Sequence, residues 1–423
     1  MAKSGKLAIL AGGGPAPGIN SVIGAATIRA AISGVEVVGL VDGFRWIMEG
    51  DLSKTVPLSI KTVAGIHFRG GSVIGVSRAD PTREPHRMET VVSALARLGV
   101  DRLITIGGDD TALSAMRLSQ HAQGRLAIVH VPKTIDNDIG HTSGSASFGF
   151  ETARHVGVGI VKDLQVDART TSRWYFVGTM GRKAGHLALG IGKAAGATLT
   201  LIPEEFSGRY IPMARIVDTL VGAIIKRLSY GRMDGVALLA LGLVSRLDPA
   251  EVKRFAEVDL EDPDGLRDAQ ASFVDHVKRE VDARLAQFGI RMTITVKNIG
   301  YELRCADPIP YDLEYTRDLG YCASKYLLEG GAGAVITTRD GSFHPLPFED
   351  LIDPASGRTR IRLVDIHTEA YKIARRYMLR LRRDDFDDPH ELENCADVAG
   401  ITVEEFRRQF EPLVADEPPP LQF

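Results

Sequence analysis

Residues 7–32, LAILAGGGPAPGINSVIGAATIRAAI, combine a short apolar run, a glycine-rich loop and a stretch rich in alanine and isoleucine. Leu7 to Leu10 has the length of a buried strand, and Ser21 to Ile32 suits a helix. The glycines between them let the backbone approach an anion, and the start of the helix presents unpaired N–H groups to it. The segment therefore predicts a strand, loop and helix that bind phosphate, unless the glycines serve only the turn.

The same alternation of apolar runs and helix-like segments extends along the chain. A helix-like segment at Arg267 to Gln287 separates two of the later runs. The other apolar runs are Val35 to Val41, Leu103 to Ile106, Ala127 to Val131, Trp174 to Val177, Ala197 to Ile202, Val236 to Val244 and Met292 to Val296. This order predicts parallel α/β sheets, and 423 residues exceed what one hydrophobic core usually organises. We therefore expect two α/β domains.

The net charge, the cysteine spacing and the length of the apolar stretches indicate which partners and which cellular compartment suit this chain. The formal net charge is −3, which provides no electrostatic footprint for nucleic acid. The three cysteines, Cys305, Cys322 and Cys395, have no metal-type spacing, and no apolar stretch is long enough to cross a bilayer. These features favour a cytoplasmic protein that acts on small molecules, with no nucleic acid or membrane partner.

A second glycine loop follows the run that ends at Ile106. Gly107 and Gly108 clear space for a phosphate, and Asp109 supplies a hard oxygen suited to Mg²⁺. Asp110 places a second carboxylate beside it, which would repel an incoming polyphosphate. The alternative is that Asp110 only caps the following helix.

A third loop, Pro132 to Asp138 with the sequence PKTIDND, ends another strand-like run. A carboxylate here could take the proton from an attacking hydroxyl, and Lys133 could stabilise charge on the transferring group. The alternative is an Asx-rich turn with a solvated lysine.

The three loops together resemble the phosphofructokinase family, whose members carry such glycine, Gly-Gly-Asp and Thr-Ile-Asp-Asn-Asp loops in this order. The resemblance continues through TMGRKAGH at 179–186 and IGYELR at 299–304. It implies two Rossmann-like parallel-sheet domains with the active site in the cleft between them. The implied donor-binding domain is 1–150 with part of about 315–390. The sugar-phosphate domain is 151–314, followed by a helical extension and tail at 391–423.

The resemblance also implies roles for individual residues. Asp136 would be the general base, Asp109 would hold Mg²⁺, and Gly13, Arg78 and Gly108 would contact the phosphoryl donor. The residues matched to sugar-phosphate binding are Thr134, Ile135, Asp136, Asp138, Met180, Gly181, Arg182, Tyr301 and Arg304. Arg173 resembles an arginine that reaches a neighbouring subunit's site, which implies a homo-oligomer, a dimer or tetramer with shared active sites.

Two positions bear on the donor. ATP-using relatives usually have glycine where Asp110 and Lys133 stand, whereas pyrophosphate-using relatives resemble this chain at both. The Asp110 carboxylate would repel the α-phosphate of ATP, and Lys133 would neutralise a compact donor. The expected reaction is Mg²⁺-dependent, reversible phosphate transfer from pyrophosphate to the 1-hydroxyl of fructose 6-phosphate, with Asp136, Lys133 and Asp110 as the catalytic set.

One position departs from the family pattern. Leu241 stands where the family normally has a glutamate that binds sugar hydroxyls. An apolar side chain cannot accept those hydrogen bonds, so sedoheptulose 7-phosphate is a second candidate acceptor. The competing functions are an ATP-dependent kinase of the same fold and a catalytically weak regulatory subunit. A dinucleotide-binding oxidoreductase is a third, although the first loop lacks a regular G-x-G-x-x-G.

Overall fold

The computed structural model describes residues 5–140, 146–260, 263–339, 341–353, 358–415 and 417. The strands are β1 Lys6–Ala11, β2 Val37–Leu40, β3 Thr55–Leu58, β4 Val100–Gly107, β5 Ala127–Pro132, β6 Trp174–Thr179, β7 Leu199–Leu201, β8 Gly235–Ala240, β9 Ile294–Ile299, β10 Ala334–Arg339, β11 Ser342–Pro347, β12 Ile352–Asp353 and β13 Arg358–Thr359.

The helices alternate with these strands. They are α1 Ile19–Ile32, α2 Pro85–Arg97, α3 Asp109–Ala122, α4 Phe150–Thr171, α5 His186–Ala195, α6 Met213–Ser229, α7 Pro249–Val252, α8 Pro263–Gln287, α9 Tyr301–Arg304, α10 Pro310–Leu328, α11 Phe348–Leu351, α12 Glu369–Tyr377, α13 Arg383–Asp387, α14 Pro389–Ala399 and α15 Val403–Phe410. The predicted α/β class with parallel sheets is confirmed.

The chain forms two compact units. The first contains Met1–Ala153 and Tyr301–Arg362, and the second contains Arg154–Gly300 and Leu363–Phe423. These bounds differ from the predicted ones, since 301–314 belongs to the first unit and the 391–423 extension is part of the second unit. The physical reason is packing: α10 lies against α1, and α14 packs on α6.

The first unit is built on a seven-stranded sheet in the order β11-β10-β5-β4-β1-β2-β3. Its five central strands are parallel, and the edge strands β3 and β11 are antiparallel to their neighbours. Ala8 and Leu10 of β1 belong to the core shared with α2 and α3, and Leu7 and Ile9 on the other face are fully buried as well. Burial on both faces is typical of a parallel sheet and explains the continuous apolar run.

The second unit has a four-stranded parallel sheet in the order β7-β8-β6-β9. Its core includes Trp174 and Phe176 of β6 and extends to Phe406 and Phe410 near the C-terminus. The run from Val236 to Val244 was predicted as one strand, but the strand ends at Ala240 and a 3-10 helix occupies Leu241–Arg246. The predicted C-terminal extension is helical, since α14 ends at the C-cap Gly400 and α15 follows it. Residues 416 and 418–423 of the predicted tail lie outside the described residues.

Candidate active site

The order of strands in the first unit marks one edge of its sheet as a binding site. The chain adds β2 and β3 on one side of β1 and then β4, β5, β10 and β11 on the other. Open parallel sheets bind ligands at the carboxyl ends of the strands beside such a switch point. Here Gly12 and Gly13 follow the end of β1, and Gly108 follows β4, which ends at Gly107. The Gly12 N–H donates to the Ile106 carbonyl over 2.7 Å.

The two glycine loops meet around one threonine. A Cβ added at Gly12 or at Gly107 would lie 2.4 Å from Thr111 Oγ1, so neither position has room for a side chain. Thr111 is buried in the first turn of α3, and its side chain packs against both Gly12 and Gly107. The glycines at these positions therefore allow the start of α3 to approach β1 and β4 closely.

Lys133 connects the third loop to the first. Its backbone N–H donates to the Gly107 carbonyl over 2.8 Å, and its Nζ donates to the Gly14 carbonyl over 2.5 Å. A Cβ added at Gly13, where φ is +78°, would lie 3.3 Å from the Lys133 ammonium. The residue is 7% exposed, so the alternative of a solvated lysine in a surface turn is wrong.

The two aspartates of the second loop lie at the start of a helix. Helix α3 begins at Asp109 and its N-cap is Gly108, so Asp110 is the second helical residue and does not cap the helix. Asp109 is half-buried and Asp110 is exposed. Carboxylates are stabilised at a helix N-terminus by its positive dipole end, which offsets part of their mutual repulsion.

Arg78 belongs to a segment whose neighbouring residues contact the first glycine loop and helix α3. The neighbouring Ser77 carbonyl accepts a hydrogen bond from the Gly13 N–H over 2.7 Å. Two residues after Arg78, the Asp80 carboxylate accepts from Ser114 Oγ of α3 over 3.0 Å. The residues on either side of Arg78 therefore contact the first glycine loop and helix α3, and Arg78 itself is exposed.

Internal hydrogen bonds shape the loop that follows β5. Thr134 Oγ1 accepts from the Asp136 N–H over 3.0 Å and donates to Asp138 Oδ1 over 3.1 Å. Asn137 has φ of +57°, a left-handed conformation that asparagine tolerates. The Arg362 N–H donates to the Asp138 carbonyl over 2.7 Å, so a residue far along the chain fixes this loop.

Tyr301 and Arg304 lie in the first unit, next to the first glycine loop. A Cβ added at Gly14 would lie 2.7 Å from Arg304 Nη1, and the guanidinium lies 4.6 Å from the centre of the Tyr301 ring. Within the part of the chain that the structure describes, the buried Nε of Arg304 has no hydrogen-bond partner. A guanidinium in this state offers a donor to an anion.

Met180, Gly181 and Arg182 lie at the carboxyl end of β6 in the second unit. The Met180 N–H donates to the Ile299 carbonyl over 3.0 Å. Gln270 of α8 fixes the same loop, since its amide donates to the Gly181 carbonyl over 3.3 Å and to the Leu241 carbonyl over 3.1 Å. The Leu241 side chain is 8% exposed and belongs to the apolar core, so this side of the loop presents no carboxylate at that position.

Arg173 is separated from that loop within the same unit. It immediately precedes β6, whereas Met180 immediately follows it. At about 3.3 Å per residue, the two ends of this strand are roughly 20 Å apart. The Arg173 side chain lies beside Asp167, with Nε and Oδ2 3.9 Å apart.

Two residues that support the loops were missed by sequence reasoning. His130 of β5 is fully buried, with Nδ1 2.8 Å from Thr105 Oγ1 and Nε2 3.1 Å from the Gly107 carbonyl. Burial lowers the pKa of His130 to about 3, so the ring is neutral and donates through Nε2. Gln270 lies in the middle of a long helix, and nothing in its sequence context marks it as a contact of the loop after β6.

Comparison with protein families matches residues 6–327 to the family described as phosphofructokinase. The chain belongs to the phosphofructokinase family. It is 47% identical over 410 residues to the pyrophosphate–fructose 6-phosphate 1-phosphotransferase of Thermotoga maritima, covering 96% of this chain and 98% of that protein. It is also 45% identical over 417 residues to the protein of the same name from Naegleria fowleri, covering 96% and 95%.

Solved structures of phosphofructokinases share the fold. The pyrophosphate-dependent phosphofructokinase from Marinobacter aquaeolei superposes with a TM-score of 0.65 over 99% of this chain and 94% of that chain, at 18% identity. In the described residues, no helix is long and apolar enough to cross a membrane.

Proposed function

We propose that this chain catalyses the Mg²⁺-dependent, reversible transfer of phosphate from pyrophosphate to the 1-hydroxyl of fructose 6-phosphate, giving fructose 1,6-bisphosphate and phosphate. The observation that carries the proposal is the Lys133 ammonium held 2.5 Å from the Gly14 carbonyl inside the first glycine loop. A lysine in this place supplies a fixed positive charge to a compact anion. The two relatives named above match 96% of this chain at 47% and 45% identity, and their names specify the same donor and acceptor.

Asp110 supports the choice of pyrophosphate over ATP. It is exposed at the start of α3, next to Asp109 and the glycines of the second loop. A longer polyphosphate extending past Asp109 would bring negative charge against this carboxylate. At about 4 Å and an effective dielectric near 20, that repulsion is about 4 kcal/mol, and water near an exposed group reduces it.

The chemical step divides between the described loops. In the proposal, Asp136 removes the proton of the 1-hydroxyl as its oxygen attacks the terminal phosphorus, and the bridging P–O bond breaks to release phosphate. Thr134 holds the Asp136 backbone, and Asp138 orients the Thr134 hydroxyl, so this base is held in place before substrate binds. Lys133 stabilises the charge that develops on the leaving phosphate.

Mg²⁺ fits the residues of the second loop. This ion is usually bound through one or two carboxylates, with substrate phosphates and water completing its octahedron. Asp109 is a half-buried carboxylate at the carboxyl end of β4, where it would hold the ion against the donor. When bound, Mg²⁺ would neutralise charge on the diphosphate.

The sugar phosphate would be held by arginines. Arg304 has a buried Nε whose hydrogen-bonding capacity is unmet among the described residues, and Arg182 is exposed on the loop after β6. Ile135, Met180, Gly181 and Tyr301 would complete the contacts. Arg173, at the opposite end of β6, would contribute to a partner subunit's site in a dimer or tetramer.

A coupled assay tests the proposal. Purified protein with MgCl₂, fructose 6-phosphate and pyrophosphate should form fructose 1,6-bisphosphate, detected through aldolase, and EDTA should abolish the signal. Asp136→Asn should lose activity by at least about a hundredfold, within the usual contribution of a general base. Sedoheptulose 7-phosphate in a parallel assay tests the acceptor, because Leu241 removes a polar contact. Binding of both substrates without turnover would instead support the regulatory-subunit alternative.

A further inference from the structure

Two consecutive glutamates follow β7 in the second unit, and both contact the C-terminal segment of this unit. Glu204 Oε1 accepts hydrogen bonds from the Gly185 N–H over 2.9 Å and from the Val364 N–H over 3.0 Å. Gly185 is the N-cap of α5 and lies three residues after Arg182. One carboxylate oxygen therefore joins the loop after β6 to Val364, which lies 160 residues after Glu204 in the chain.

Glu205 forms three further contacts with the same C-terminal segment. Its Oε2 lies 3.0 Å from the Tyr371 hydroxyl, 2.9 Å from Arg375 Nη1 and 2.8 Å from Arg380 Nη1. The Glu205 and Arg380 side chains are 2% and 6% exposed. Two guanidinium groups and a hydroxyl surround this buried carboxylate oxygen and compensate its charge, so Glu205 contacts the segment through three side chains.

Apolar packing places the segment at the carboxyl edge of the second sheet. Val364 and Tyr371 form a buried cluster with Ala188 of α5, Ile202 after β7 and Ala240 at the end of β8. This is the edge at which the Met180–Arg182 loop leaves β6. Since the hydrogen bonds and the packing act on the same residues, the C-terminal segment supports the loop from one side.

The glutamate has little freedom to move. A Cβ added at Gly185 would lie 2.4 Å from the Ile202 Cβ and 2.8 Å from Glu204 Oε2, so the loop and the carboxylate are in close contact. Burial raises the pKa of Glu204, although its backbone hydrogen bonds oppose that shift. A neutral amide of the same shape should therefore replace it with little loss.

We infer that Glu204 is a positioning residue for the Met180–Arg182 loop and couples that loop to the C-terminal segment Leu363–Arg382. The inference rests on the proposed function, in which this loop contacts the sugar phosphate. Glu204 does not touch the reacting atoms. It holds the start of α5, three residues after Arg182, against the C-terminal segment.

Steady-state kinetics of Glu204→Ala and Glu204→Gln test this role. Glu204→Ala should raise the KM for fructose 6-phosphate about tenfold, which matches the loss of a hydrogen bond to a charged group. The KM for pyrophosphate should stay within about twofold, because the donor loops belong to the first unit. Glu204→Gln should restore the KM for the sugar, since the amide oxygen can accept from both N–H groups.

Glu251→Ala is the matched control, because Glu251 Oε2 accepts from the backbone N–H of Met213 at the start of another helix, over 3.0 Å. Both KM values should be unchanged in this variant. An equal rise in both KM values for Glu204→Ala, or a lower melting temperature with both unchanged, would overturn the inference. If Glu204→Ala does not fold, Glu204→Asp, which shortens the reach by one methylene, should show a smaller but selective rise.

Hydrogen exchange separates this inference from the proposed function. Protein inactive with every sugar and donor would refute the function, yet the Gly185 and Val364 amides should still exchange faster in Glu204→Ala than in wild type and in Glu251→Ala. Unchanged protection at both amides would refute the positioning role by itself.

Discussion

Replacing Lys133 by methionine removes one buried charge while keeping the length of the side chain. The Lys133 ammonium is fixed to the Gly14 carbonyl, and the residue is 7% exposed. During transfer, about one negative charge moves onto the leaving phosphate. At roughly 4 Å and an effective dielectric near 20, its attraction to the ammonium is about 4 kcal/mol. Since about 1.4 kcal/mol is a tenfold change in rate, kcat should fall about a thousandfold.

The assay is kcat and KM for pyrophosphate in Lys133→Met, with circular dichroism to verify folding. The backbone bond from Lys133 to Gly107 does not depend on the side chain and should preserve the loop. Lys193→Met is the matched control, because Lys193 also donates to a carbonyl, that of Ala370 over 2.9 Å, but is exposed on α5. Its kcat should change less than about twofold. A folded Lys133→Met enzyme that keeps kcat within about fivefold of wild type would refute the electrostatic reasoning.

Two further predictions concern stability. In the folded protein the pKa of His130 is about 3, below its value in the unfolded chain, so the unfolded state binds one more proton in between. The free energy of unfolding should therefore fall by about 1.4 kcal/mol per pH unit as the pH drops from about 6.5 towards 3. His130→Asn should therefore lose less stability than wild type between pH 7 and pH 5 in urea titrations, and equal losses would contradict the assignment. Lys226→Met leaves Asp385, whose carboxylate oxygens lie 2.7 Å from Lys226 Nζ, without its buried cation and should cost about 3–5 kcal/mol in chemical denaturation. Breaking the exposed Glu369–Lys372 pair should cost less than about 1 kcal/mol, and similar costs for both pairs would show that burial does not set the difference.

Much of the fold follows from local pattern. The apolar runs that became β1, β4 and β5 are continuous because these strands are buried on both faces, and each ends in the loop that carries the chemistry. Motif order was sufficient to assign the family, because the five motifs extend from residue 12 to residue 304.

Tertiary contacts account for what the sequence pattern could not predict. Arg362 fixes the loop after β5 from more than two hundred residues away, and Gln270 reaches two carbonyls from the middle of a helix. Neither residue belongs to a motif. Their contacts depend on the tertiary fold, in which each unit combines two separate stretches of the chain. The break at Leu241 was missed because a 3-10 turn buried in the core is as apolar as a strand.

Burial also decided between alternatives that spacing left open. A lysine beside several aspartates suits a solvated turn as well as a binding loop, and only the contact with Gly14 distinguishes them. Similarly, the sequence allowed Asp110 to cap α3, but the helix begins at Asp109 and its N-cap is Gly108.

Donor selectivity is the central claim, and the ratio of kcat/KM for pyrophosphate to kcat/KM for ATP tests it most directly. Measured with fructose 6-phosphate and Mg²⁺, this ratio should be at least about a hundred in the wild-type enzyme. It should fall by at least about tenfold in the Asp110→Gly, Lys133→Gly double variant. This variant lacks the carboxylate that repels ATP and the ammonium that binds pyrophosphate. A wild-type ratio below one, or a ratio that the double substitution leaves unchanged, would contradict the account.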